Sequence, residues 1–304
     1  MNALVSNPLR QQIAGYHRMV IGDVIVTALY DGTVAINPLN FAGVTDGQRL
    51  TALKRLFLAT EGKIDTAVNA WIIDTGSRVI LVDAGSGTVA GPTMGRLLEN
   101  LEAAGYKAGA VNALLITHLH IDHVSGAADE QGKAVFPNAT MYAAKADADF
   151  WLNDATQATL PEEQDNFVKF AKDGVAPYAA ASRFVTFSDG DVLEDGLLTV
   201  VAFPGHTPGH SGFRLERAGE TLLFWGDIAH LPAVQLAHAS ATISLDIDPA
   251  QAVASRERAL KLATDTGWLI AGSHAPFPGI GRVRKDADGH SWVPAEYAAL
   301  PVRG

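Results

Sequence analysis

The chain has 304 residues, 48% hydrophobic and 18% charged, with a formal net charge of -10 and no cysteine. That length and apolar content support a sizeable core and exclude global disorder. The acidic balance argues against a nucleic-acid partner, and the missing cysteines exclude disulfides, thiolate ligands and a cysteine nucleophile.

Met1 to Arg18 carries no apolar run of signal-peptide length, and no segment approaches a transmembrane helix. The expectation is a cytoplasmic protein with no membrane partner, although a processed exported form would read the same way. Residues 1–20 read as an irregular arm. Val24–Tyr30 is a β-branched strand closed by Asp31-Gly32. Residues 33–66 are loop-like except for a helix over Asp46–Thr60, where Leu50, Leu53, Leu56 and Phe57 recur at helical spacing. This apolar region suits a pocket wall or a dimer contact. Ala70–Asp74 and Val79–Asp83 form a hairpin across Thr75–Arg78. The tight turn Asp83–Gly87 follows, and with no Lys-Ser/Thr behind it a nucleotide loop is excluded.

A helix over Pro92–Ala104 places Met94, Leu97, Leu98 and Leu101 on one face, with Gly105 as its stop. Further strands are expected at Ala113–Ile116 and Ala139–Ala144, then a helical turn at Ala146–Leu152 and a helix over Pro161–Ala180. Strands resume at Leu197–Phe203, Gly212–Glu216 and Thr221–Trp225. The next helix has Asp248 as N-cap, Pro249 at its first position and Gly267 past its end, and Trp268–Ala271 is the last clear strand. No low-complexity linker divides the chain. Two hairpin-and-helix halves predict one domain over 1–304, of α+β class: an αββα sandwich of two packed mixed sheets flanked by helices.

Directly after the strand Ala113–Ile116 the chain reads Thr117-His118-Leu119-His120-Ile121-Asp122-His123. His118 and His120 point the same way from extended backbone, while Asp122 and His123 follow once the chain has begun to turn. One short loop can therefore supply ligands to two neighbouring metals. Imidazole with carboxylate suits zinc, or iron, manganese or cobalt. Three further stretches repeat the pattern of apolar strand, small residue and ligand-type side chain: His206 after Phe203-Pro204-Gly205, Asp227 after Trp225-Gly226, and His274 after Gly272-Ser273. His210 reads as a support for a ligand. His230, three residues past Asp227, is placed facing the substrate. His17, His238 and His290 belong to no constellation, and Trp71, Phe224 and Trp225 read as core.

These motifs, in this order, resemble metallo-β-lactamase-fold hydrolases with a dinuclear centre. The resemblance implies that His118, His120 and His206 hold one metal, that Asp122, His123 and His274 hold the other, and that Asp227 bridges them. The chain is similar further to the methyl parathion hydrolases and related aryl-lactone and ester hydrolases. Gly15–Met19, Thr27–Ala35, Gly91–Leu97, Asp147–Leu152 and Phe277–Gly281 carry that likeness. Phosphotriesterase members surround the leaving group with aromatics, which implies pocket positions for Trp151 and Phe167. They carry Phe where this chain has Ala90, and their loop differs at Asn37–Val44.

The implied reaction is the opening of a lactone, or cleavage of an aryl ester, by a metal-bridging hydroxide. Two metals about 3.5–4 Å apart lower the pKa of a shared water from 15.7 toward roughly 7. Asp227 would fix the metal pair and Asp122 would move a proton to the leaving group. Phosphotriester hydrolysis is the alternative. Acyl-homoserine lactonases rank lower, because they often carry a Tyr shortly after the bridging Asp and none occurs here between Asp227 and His274. A mononuclear-iron persulfide dioxygenase also ranks lower. A thioester hydrolase of the same fold would need a basic clamp and a further helical domain, whereas only residues 275–304 follow His274. The resemblance and the apolar 40–60 region point to a homodimer acting on a small-molecule substrate.

Overall fold

Val-, Ile- and Leu-rich runs build two sheets in the computed structural model, which describes residues 12–161, 164 and 166–300. The first sheet holds, side by side in chain order, β1 (Tyr16–Ile21), β2 (Val24–Ile36), β3 (Ile64–Asp74), β4 (Val79–Val82), β5 (Ala113–Leu115), β6 (Thr140–Ala144) and β7 (Phe184–Phe187). It is antiparallel from β1 to β4 and parallel from β4 to β7. The second sheet comprises β8 (Val192–Leu193), β9 (Leu198–Ala202), β10 (Ser211–Arg217), β11 (Glu220–Phe224), β12 (Leu269–Ala271), β13 (Ile280–Lys285) and β14 (His290–Pro294), again neighbours in chain order. Its one parallel pair is β11 with β12.

Alternation along the strands explains the layers. Trp71, Ile73, Ile80 and Val82 of the first sheet share a buried cluster with Phe213, Leu215, Leu222 and Phe224 of the second. Intervening residues face outward. Ile72, Leu81 and Leu114 pack with α2 (Leu97–Ala103) and α6 (Phe167–Ala180), while Leu223 and Ile270 pack with α8 (Pro249–Thr266). Strands covered on both faces need continuous apolar runs, and that is what the sequence supplies. The result is the expected αββα sandwich. The remaining α-helices among the described residues are α1 (Asp46–Arg55), α3 (Ile121–Val124), α4 (Lys145–Trp151), α5 (Asp154–Gln157) and α7 (Pro232–Gln235). Among the described residues no helix is long and apolar enough to cross a membrane.

Several expectations need correction. Residues 1–11 of the expected arm lie outside the described residues, but Tyr16–Ile21 is a strand paired antiparallel with β2. β2 does not end at Asp31-Gly32. It passes through them with a register shift, because the buried Asp31 carboxylate accepts from Ser86 N, Ser86 Oγ and Leu97 N. β3 begins at Ile64, not Ala70. The helix expected to run to Thr60 stops at Arg55, ahead of Phe57 with its left-handed φ of 57°. The helix expected from Pro92 starts at Leu97, which leaves Met94 in a loop. The helix expected from Pro161 starts at Phe167, and positions 162, 163 and 165 lie outside the described residues. Trp268–Ala271 is not the last strand, since β13 and β14 form a hairpin beyond it. α8 matches its expectation: the Asp248 side chain accepts from Gln251 N, and Gly267 closes the helix in the left-handed region.

Candidate metal centre

The ligand-type residues all follow strands at one rim of the sandwich. β5 runs into Thr117-His118, and the turn into α3 brings His120, Asp122 and His123 round to the same point. His206 follows β9, Asp227 follows β11, and His274 follows β12. Gly226 has φ +60°, and a Cβ there would lie 2.5 Å from His210 Nε2. Glycine thus lets the Asp227 backbone close on His210, whose Nε2 accepts from Asp227 N at 2.9 Å. His210 Nδ1–H donates to Phe203 O, and burial pulls its pKa down to about 4. A neutral ring with both nitrogens engaged supports Asp227 and is not a ligand itself.

Asp227 is the hub. Its Oδ2 lies 3.0 Å from His274 Nε2, 3.3 Å from His230 Nε2 and 3.6 Å from both His118 Nε2 and His206 Nε2. Its Oδ1 lies 3.3 Å from His123 Nε2. Asp122 reaches His123 Nε2 and His274 Nε2 at 3.5 Å each. Two groupings have donor atoms within 4.8 Å of one another and match the predicted ligand trios: His118, His120 and His206, and Asp122, His123 and His274. His118 with His123, and His206 with His230, form like groupings with Asp227.

The donors suit a divalent cation. The Nε2 atoms of His118, His120 and His123 and the Asp227 Oδ1 are buried without a hydrogen-bond partner, a costly arrangement for polar atoms unless a cation meets their lone pairs. The opposite ring edges set those lone pairs. His123 Nδ1–H donates to Asp83 Oδ2 at 2.8 Å, His206 Nδ1–H to Asp246 Oδ1 at 2.9 Å, and His274 Nδ1–H to Ala67 O at 2.9 Å. Each contact turns Nε2 toward the centre. Burial, reinforced by neighbouring imidazoles, holds His118, His120 and His206 well below the ordinary histidine pKa, so all three are neutral donors. Burial also works against charge on His123, but Asp227, Asp122 and Asp83 outweigh it and push its pKa well up. The same field would draw in a cation. Burial opposes ionisation of Asp122 and Asp227, yet His123 and His274 hold both carboxyls below their ordinary range.

A cavity of about 230 Å³ opens over this rim. Its floor is His120, Asp122, His206, Asp227, His230 and His274. Its walls are Val34, Ile36, Ala90, Met94, Ile121, Phe167, Ile243 and Leu245. Of the residues expected around the substrate, Ala90, Phe167 and His230 line it. Trp151 does not: it is fully buried behind His120, ring centroids 5.2 Å apart, and belongs to the core under α4 and α6. His230 is held by its backbone, since its N–H donates to Gln235 Oε1 at 2.6 Å. Sequence reasoning missed Asp83 and Asp246 as partners of ligands. Asp83 ends an apolar strand as Asp227 does, and that signal was readable; Asp246 has no local signal.

A protein-family model described as the metallo-beta-lactamase superfamily matches residues 64–274, from the start of β3 to His274. Among solved structures, the chain is similar to the hydrolase AbOPH of the beta lactamase superfamily, with 37% identity over 95% of this chain and 100% of that one and a TM-score of 0.90. It is similar to AidC, a dizinc quorum-quenching lactonase solved with the product N-hexanoyl-L-homoserine, with 29% identity over 94% and 99% and a TM-score of 0.86. A probable metal-dependent hydrolase from Staphylococcus aureus shares the fold at 18% identity, covering 92% and 100%, with a TM-score of 0.75. The family match covers more than half of the chain, from β3 through β12, and every ligand-type residue at the rim, so the chain belongs to the metallo-beta-lactamase superfamily.

Proposed function

We propose that the chain is a dinuclear metallohydrolase that opens lactones or cleaves aryl esters. The observation that carries this reading is the pairing of an ionised, donor-rich floor with an apolar cavity: no Lys or Arg occurs among the described residues that line it. A neutral, largely apolar substrate suits such walls, which offer no Lys or Arg to hold a charged tail. In this reading His118, His120 and His206 would hold one metal, Asp122, His123 and His274 would hold the other, and Asp227 would serve both. Zinc fits the donor set, as would iron, manganese or cobalt. A bound metal pair would supply an activated water near neutral pH and an electrophile for a carbonyl oxygen.

The chain's own groups do the rest. The apolar walls seat the acyl or aryl part and keep bulk water away. Asp122, at the cavity floor, carries the proton from the attacking water to the leaving oxygen as the C–O bond breaks. His230 Nε2 lies at the floor within reach of a substrate oxygen. The likeness to AidC adds acyl-homoserine lactones to the candidate substrates. Phe167 in the wall keeps phosphotriesters as the second reading, while Ala90 puts a small side chain where an aromatic would otherwise stand.

The test is a ratio of kcat/KM on one metal-loaded preparation, across dihydrocoumarin, N-hexanoyl-homoserine lactone and methyl paraoxon. A preference of several decades for either lactone is expected. Equal or greater turnover of methyl paraoxon would replace the lactone reading with the phosphotriester one.

A further inference from the structure

Asp147 is fully buried in the first turn of α4 and takes no part in the chemistry above. Its Oδ2 accepts from Leu119 N at 2.9 Å, and its Oδ1 accepts from Gly209 N at 2.6 Å. Leu119 lies between His118 and His120. Gly209 lies on the turn that carries His206, a turn closed on itself by Gly205 N–H to Thr207 O and His210 N–H to Thr207 O. One carboxylate therefore spans two loops, one from each sheet, that meet at the three histidines. The approach is close. A Cβ on Gly209 would come within 2.5 Å of Asp147 N and 2.9 Å of Asp147 Cβ.

The choice of a carboxylate is costly. Burial pushes the Asp147 carboxyl up to about 6, against the Thr207 side chain and the two N–H groups that favour its ionised form. No Lys, Arg or His among the described residues forms an ion pair with it. A side chain kept only to fill the core would be better uncharged. An ionised carboxylate is the acceptor that can satisfy two N–H groups at once with short, charge-assisted bonds.

We infer that Asp147 is a positioning residue that fixes the separation of the His118–His120 loop and the His206 loop, and so sets the affinity and geometry of the three-histidine metal site. The inference rests on the proposed reading of His118, His120 and His206 as ligands of one metal. Asp147→Asn keeps the shape but turns one acceptor into an N–H facing an N–H, which releases one loop. Gly209→Ala disturbs the same contact from the other side without touching charge.

The experiment titrates metal-free full-length wild type, Asp147→Asn, Gly209→Ala and His120→Ala with cobalt(II). It follows visible absorption and competition with a chelator, and records thermal unfolding of each metal-free protein. Wild type should take up two equivalents. His120→Ala marks which equivalent belongs to the three-histidine site. Asp147→Asn should weaken that same equivalent by roughly 10–100-fold and alter its absorption band, while the other equivalent keeps its affinity and spectrum. Gly209→Ala should weaken the same equivalent. Unchanged affinities, equal weakening of both equivalents, or failure of both variants to fold would assign Asp147 to the fold and overturn the inference. A wild type that takes up fewer than two equivalents would remove the ligand reading itself, and the inference with it.

Discussion

The two sheets deliver their shares of the centre by different routes. The first sends His118, His120, Asp122 and His123 from one loop after β5, where a single turn into α3 sets their directions. The second sends His206, Asp227 and His274 one at a time, from the ends of β9, β11 and β12. Their spacing is set by strand pairing, antiparallel from β9 through β10 to β11 and parallel from β11 to β12. The local turn sets the order and directions of the first group, which Asp83 on His123 and Asp147 on Leu119 N then hold in place. A set fixed by register depends on each strand end being braced. The second-sheet residues carry those braces: Asp246 on His206, His210 on the Asp227 backbone, and the carbonyl of Ala67 in β3, across the sandwich, on His274.

The comparison breaks most readily at Gly226. A Cβ there meets His210 Nε2, and the backbone φ of +60° disfavours any side chain, so Gly226→Ala should shift the Asp227 carboxylate. A displacement on the order of 1 Å costs about 10²-fold in turnover. Steady-state kinetics with dihydrocoumarin at saturating metal checks it, and unchanged kcat would mean that the strand end is not register-limited.

The next effect is at Asp246. Asp246→Ala frees the His206 ring and leaves its Nδ1 without an acceptor, so zinc affinity should fall by roughly 10–100-fold at one equivalent only. Chelator competition reads this directly. Equal loss at both equivalents would show that the two routes are not separable.

The smallest effect is on stability and pH. The raised pKa of Asp147 means that the folded chain binds more protons than the unfolded one between pH 3.8 and about 6. Through this group the stability of the metal-free protein falls as pH rises across that window. Asp147→Asn should flatten the fall. Urea unfolding at a series of pH values, compared between wild type and variant, measures the difference. An identical slope in both would mean that the carboxyl titrates normally.

The same contrast governs what could be read from the chain. The loop after β5 was legible because ligand spacing and turn are neighbours in sequence. α8 was legible because Asp248, Pro249 and Gly267 are local signals. His206, Asp227 and His274 were found through a repeated strand-end pattern, and Asp83 shares that pattern yet was passed over as a turn. Asp147 and Asp246 carry no local mark, since their roles exist only once distant loops meet. The cavity walls were harder still. Met94 looked like part of a helix face, Ile243 and Leu245 lie in a segment with no periodicity, and Trp151 looked like a pocket aromatic although it packs behind His120. β13 and β14 escaped because Ile280–Lys285 mixes Gly, Arg and Lys with few apolar residues.

If two metals, held by the two routes together, make one hydrolytic centre, activity requires both. The most direct measurement is dihydrocoumarin hydrolysis as zinc is returned stepwise to chelator-stripped protein, with bound metal counted at each step. Little activity is expected after the first equivalent, with a rise that saturates at the second. Full activity at one equivalent, or activity that survives complete removal of metal, would contradict it.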